Sequence, residues 1–134
     1  MSTPLPEIPD SLDRYASRNL ALALKALEEI EVAIRSAILR YGEHRVAVVM
    51  GTSTSGISEG GALLAAPGIR ESGRIPASYD FLRQEIGSVA ESLAAHYELK
   101  GPALTLSTAC SSGAKALSTA RRLIRQGLAD AVIT

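Results

Sequence analysis

Apolar residues recur at helical spacing over the first third of the chain: Leu20, Leu24, Leu27, Ile34, Ile38 and Tyr41 share one face, while Glu28, Glu31 and Arg35 occupy the others. This period predicts one amphipathic helix from about residue 11 to 41, ending near Gly42, with Glu31 and Arg35 as an i,i+4 ion pair. RVAVVM, residues 45 to 50, has no alternation and reads as a strand buried on both faces, as in a parallel sheet covered by helices. A Gly/Ser/Thr loop, GTSTSGISEGG, follows, then a short helix around 59 to 66 stopped by Pro67-Gly68 and a loop over 67 to 78. Phe81, Leu82, Ile86, Val89, Leu93 and Tyr97 predict a second helix over 79 to 97, capped by Ser78 or Asp80. ALTLS, residues 103 to 107, reads as a strand, 110 to 126 as a third helix with Gly127 as its C-cap, and ADAVIT as the start of another strand. Strands alternating with helices give an α/β fold. Three strands are few against a usual sheet of about five or six, so the chain reads as a fragment of a larger layered domain.

Composition narrows the function classes. Aromatics make up only 4% of the 134 residues, so the core must be aliphatic and alanine-rich. Fourteen basic residues balance fourteen acidic ones, which gives no overall charge argument for nucleic acid or a membrane surface. The N-terminus lacks a secretory leader pattern, and the longest apolar run is far shorter than the roughly 20 residues of a membrane span. One cysteine excludes an internal disulfide. The expectation is a soluble, cytoplasmic chain with a Pro-rich lead-in over 1 to 12.

That single cysteine, Cys110, lies between a strand and a helix. Such an elbow places its sulfur at or near a helix N-terminus, where outward N–H groups and the helix dipole favour an anion. A thiolate is an anion, and the same N–H groups can stabilise the oxyanion of an attacked thioester carbonyl. A cysteine beside alanines is equally a small buried hydrophobe, so position alone leaves both roles open.

The stretch STACSSGAKALSTARRLIRQGLADAVIT closely resembles the nucleophile region of β-ketoacyl-(acyl carrier protein) synthases, of the elongating type found in fatty acid and polyketide synthesis. RVAVVMGTSTSGISEG resembles the strand and Gly/Ser loop that those enzymes carry upstream, and YDFLRQEIGSVAESLAAHYELKGPALTLSTAC the stretch leading into the cysteine. Thiolases and initiating synthases use other residues around the cysteine. The resemblance covers about residues 13 to 134 and implies a thiolase-like fold, of which this is a middle piece of the N-terminal half. It implies that Cys110 accepts an acyl group and that its own backbone N–H is half of an oxyanion hole. Ser111 and Ser112 would shape the turn and border the substrate, with Gly51, Gly56 and their loop beside the pocket.

The resemblance further implies decarboxylative condensation with a malonyl thioester, giving a 3-oxoacyl thioester. No metal or redox cofactor is implied; substrates arrive on the phosphopantetheine arm of an acyl carrier protein. Two assisting histidines, a lysine and a gating phenylalanine belong to the family's other half. His44 and His96 match no family histidine motif, so this chain alone is expected not to complete condensation. A homodimer through strand 104 to 107 is implied, and a reading of this chain as itself a catalytically dead chain-length partner is disfavoured, because those replace the cysteine and Cys110 is present.

Three further patterns have competing readings. GTSTSGIS has P-loop spacing but Ile57-Ser58 where Lys-Ser or Lys-Thr is required. GTSTS misses a serine-hydrolase elbow by one residue, with Ser53, Asp80 and His96 in hydrolase order, which makes such a hydrolase the alternative enzyme class. Lys115, Arg121, Arg122 and Arg125 form either a solvated face or a docking surface for an acidic carrier protein, a role for which Arg14 and Arg18 are also candidates.

Overall fold

The computed structural model describes residues 4–77 and 79–134. A central strand, β1 (Val46–Gly51), is flanked by β2 (Ala103–Leu106) and β3 (Ala131–Ile133), giving the order β2-β1-β3. Both pairings are parallel, with Val48 opposite Ala103 on one side and Ile133 on the other. Val46, Ala47, Val48 and Val49 have no solvent exposure, as the unbroken apolar run requires.

Successive β1 side chains point to opposite faces of the sheet. Val46 and Val48 enter a cluster with Leu20, Leu24, Ile34, Val89 and Leu93. These come from α1 (Arg18–Glu28), α2 (Glu31–Tyr41) and α5 (Ser88–His96). Ala47 and Val49 face the other way, against Ala116 and Leu123 of α6 (Ser112–Arg125) and against Ala129. The two faces thus receive two different coverings from one strand.

The expected helix over residues 11 to 41 is instead three pieces. Asp10–Tyr15 form a 3-10 turn whose Leu12 is almost wholly buried, so the core begins inside the expected lead-in. Ser17 then starts α1 by accepting the Leu20 N–H at 3.2 Å. Glu29 and Ile30 interrupt the helix, and α2 restarts at Glu31. The break has a packing reason: α1 lies against α5, whereas α2 lies against β1 and β3. A continuous rod could not follow both. The Glu31–Arg35 pair forms at 2.6 Å.

The expected helix over 79 to 97 also divides. Asp80 caps only a 3-10 turn, Phe81–Arg83, by accepting the Leu82 N–H, and α5 starts after Gly87. The other expected cap, Ser78, lies outside the described residues. After α3 (Ile57–Leu64), Pro67 does not end structure but opens α4 (Pro67–Ser72), where its missing N–H costs nothing. α6 ends at Arg125 with Gln126 as its C-cap rather than the expected Gly127, which follows at φ 69°, a conformation that glycine adopts freely.

Candidate active site

The two crossovers bring the site together. The β1-to-β2 connection passes through α5 on the thicker face, and the β2-to-β3 connection passes through α6 on the other. Neighbouring strands whose connections leave to opposite faces open a crevice at their carboxyl ends, the usual binding position in parallel sheets. The loop after β1 and the loop after β2 meet there: the Thr52 N–H donates to the Leu106 carbonyl at 3.1 Å.

Cys110 lies at this carboxyl end of the sheet, on the short 3-10 turn Ala109–Ser111 immediately ahead of α6, and is exposed. Its side chain belongs to neither of the two apolar clusters that cover the sheet. Ala109, just before it, has φ 52°, in the left-handed region that a residue with a Cβ enters at a cost of about 1–2 kcal/mol. Strain of this kind persists only where surrounding contacts hold it.

Those contacts are short. The Ser112 hydroxyl donates to the Ala109 carbonyl at 2.7 Å and accepts the Thr108 N–H at 2.9 Å. Ser112 is buried, whereas Ser111 is exposed and donates to the Thr108 carbonyl at 2.8 Å. The two serines expected to shape the turn do so from opposite sides. Gly51 ends β1 directly beneath them: a Cβ there would lie 2.6 Å from the Ser112 carbonyl carbon. Only glycine lets the strand end approach the first turn of α6 this closely.

Gly56 sits elsewhere in the same loop. Its N–H donates to the Arg83 carbonyl at 2.9 Å, and a Cβ would collide with that oxygen, so it joins the loop to the 81–83 turn. Ser55 reinforces this junction by donating to the Gln84 carbonyl at 2.5 Å. Ser53 reaches toward the elbow instead, with its hydroxyl 3.5 Å from the Ala109 carbonyl. Sequence reasoning missed that approach, and nothing in GTSTS distinguishes which hydroxyl turns inward.

The hydrolase constellation does not assemble. Asp80 pairs with Arg14 at 2.9 Å, which together with the Leu82 N–H holds its carboxyl below the usual aspartate range. His96 lines a separate recess with Pro6, Glu7 and Glu28, its ring edge-on to Tyr97. His44 is exposed beside Glu43, ahead of β1, at the opposite end of the sheet from Cys110. A six-residue strand lies between, on the order of 17 Å.

The candidate docking cations are dispersed. The Arg14 guanidinium is engaged by Asp80, which raises its pKa. Arg18 borders a shallow cleft with Asn19, Thr54 and Ser58, and its backbone N–H donates to Glu59 at 2.8 Å. Lys115, Arg121, Arg122 and Arg125 are exposed on α6, with Arg122 donating to the Thr119 hydroxyl at 3.1 Å. Leu117, Ile124 and Leu128 are exposed along the same region of α6 and the turn after it. β2 pairs only with β1 among the described residues, so its outer edge is open and Leu104 is partly exposed. Among these residues no three His, Cys, Asp or Glu side chains converge to hold a metal ion, and no helix is long and apolar enough to cross a membrane.

Comparison with known proteins gives a consistent result. The family model described as "Beta-ketoacyl synthase, N-terminal domain" matches residues 5–134. A solved structure of the ketosynthase ApeO in complex with its chain length factor ApeC, from Xenorhabdus doucetiae, contains a chain 41% identical to this one with a TM-score of 0.83. The match covers 97% of this chain and 33% of that one, so this chain spans about a third of its length. No curated protein matches at a significant level.

Proposed function

Because the chain belongs to the β-ketoacyl synthase family through its N-terminal domain, we propose that Cys110 is the acyl acceptor of a 3-oxoacyl-(acyl carrier protein) synthase of the elongating type. The observation that carries this reading is an exposed thiol on a strained strand-to-helix elbow, at the carboxyl ends of two parallel strands. The sulfur attacks the carbonyl carbon of an acyl thioester. A carbon–sulfur bond forms, the carbonyl oxygen takes the negative charge beside the Cys110 N–H, and the donor's thiolate leaves. A malonyl thioester then loses carbon dioxide. Its carbanion attacks the acyl-cysteine, a carbon–carbon bond forms, and the Cys110 thiolate departs.

No metal or redox group enters either step, because a thiolate is both nucleophile and leaving group. The donors are thioesters on the phosphopantetheine arm of an acyl carrier protein, whose acidic surface meets Arg14, Arg18 or the cations of α6. Charge reversal at Arg14 or Arg18 is expected to weaken carrier binding in a salt-dependent way. Neither His44 nor His96 is placed to assist decarboxylation, so acyl transfer is the half-reaction this chain's own residues support.

Open edges of the sheet favour protein partnership, and the open edge of β2 is the proposed surface for a second copy. The ketosynthase of the compared complex is held with a chain length factor, which makes a related but different chain the alternative partner. The test of the activity is acyl transfer to Cys110 from an acyl thioester, followed by mass spectrometry. A mass increment lost in Cys110→Ala supports the reading; labelling of Ser53 by a fluorophosphonate, with no labelling of Cys110 by a thiol reagent, refutes it.

A further inference from the structure

We propose that Ser112 is the positioning residue of the elbow: it holds Ala109 in the left-handed conformation that sets the direction of the exposed Cys110 side chain at the carboxyl end of the sheet. The inference rests on the Cys110 reading and extends it to a residue that acts through Ala109.

Ala109 does not adopt φ 52° of its own accord. A relaxed Ala109 would turn the following peptide and redirect the Cys110 side chain. Ser112 opposes this from within the first turn of α6. Its one hydroxyl bridges the Ser107–Thr108 and Ala109–Cys110 peptides, and so spans Ala109, by donating to the Ala109 carbonyl and accepting the Thr108 N–H. Its own N–H donates to the same Ala109 carbonyl. The Ser112 side chain is buried although Thr108 and Ala109 are exposed, so the two bonds are partly shielded from water, and their loss releases the restraint on the strained residue. The anchor is itself packed, because the backbone of Ser112 rests against Gly51 at the end of the central strand. Ser111 cannot replace it: its hydroxyl bonds only to Thr108 and leaves the Ala109 carbonyl untouched.

A double-mutant cycle tests the proposal. Ser112→Ala and Ala109→Gly are compared singly and together, with Ser118→Ala on the exposed side of α6 as a control and thermal melting to confirm the fold. Two rates are read: alkylation of Cys110 by iodoacetamide, which assumes no enzymatic role, and acyl transfer from an acyl thioester. Ser112→Ala alone is expected to slow both by about five- to tenfold. In the Ala109→Gly background, where φ near 50° carries no penalty, the same substitution is expected to slow them by less than about twofold. Should Ser112→Ala not fold, the isosteric pair Ser112→Thr and Ser112→Val carries the comparison, with rates retained by Thr and lost by Val. An equal loss in both backgrounds, or equal rates for Thr and Val, overturns the role of Ser112. Alkylation without acyl transfer in the unmodified chain overturns the synthase reading instead, and the alkylation rates still decide the clamp.

Discussion

The two faces of the sheet are built differently. On one, α1, α2, α5 and the 3-10 turn at Asp10–Tyr15 bury large side chains, Leu12, Leu20, Leu93 and Val89 among them, in one continuous cluster. On the other, α6 is the single helix that covers Ala47 and Val49, with Ala116 and Leu123 and with Ala129 beyond its end, and its outer side leaves Leu117 and Ile124 exposed. The thick face supplies most of the apolar burial and hence most of the stability. The thin face carries the elbow, the exposed thiol and the strained Ala109. Stability and chemistry are therefore separable: the strain of about 1–2 kcal/mol at the elbow is small against the burial on the opposite side.

The largest expected effect that could break this separation is in the thick face. Leu93 is fully buried against β1, and Leu93→Ala is expected to cost about 2–5 kcal/mol in denaturant unfolding. The Cys110 alkylation rate of the molecules that remain folded should be unchanged; a slower rate would show that the two faces are coupled. Gly51→Ala reverses the emphasis. Its Cβ must displace the first turn of α6, at an expected cost of about 1–3 kcal/mol with a several-fold change in Cys110 reactivity. Unaltered stability and reactivity would show that the strand end does not anchor the elbow.

Leu117→Asp, on the outer side of α6, sharpens the contrast further. It is expected to shift stability by no more than about 0.5 kcal/mol, since most of that side chain is exposed. A larger loss would mean that the thin face contributes more than its contacts indicate.

The pH dependence is smaller and belongs to neither face's elbow. Tyr97 and then Arg35 hold the Glu31 carboxyl below its usual range, and Lys100 does the same for Glu43. Arg45 likewise depresses Asp130 across 2.7 Å. A depressed carboxylate contributes stability that is present above its unfolded value, near about 4, and is lost as pH falls through the lower folded value. Melting temperature should therefore fall modestly below pH about 4, less so in high salt. At the other extreme, burial and the Glu31 carboxylate raise the Tyr97 phenol, so stability should decline above pH about 10 and Tyr97→Phe should remove that decline. A flat acid limb would show these pairs to be without net effect.

Much of the architecture was legible because its signals are local. The run Val46–Val49 announced a strand buried on both faces, and the period of Leu20, Leu24, Leu27 and Ile34 marked their shared apolar face. What periodicity could not reveal was where α1 yields to α2, since the break at Glu29–Ile30 is set by two different packing partners. Phe81 and Leu82 continued the apolar period toward α5, yet Phe81 is exposed and Gly87 intervenes. At the site, the small residues around Cys110 signalled a tight elbow. The left-handed Ala109 did not show, because an alanine carries no sequence mark of positive φ, and neither did the Ser112 clamp that crosses it. Gly51 and Gly56 looked equivalent in the loop; only tertiary contact assigns the first to α6 and the second to the 81–83 turn.

The central claim is that the exposed sulfur of Cys110 takes up an acyl group. Incubation of the chain with an acyl thioester, followed by intact-mass and peptide analysis, tests it most directly. The account predicts one added acyl group on the peptide containing Cys110, released by hydroxylamine and absent from Cys110→Ala. An unmodified Cys110 in a folded chain whose thiol still reacts with iodoacetamide would contradict it.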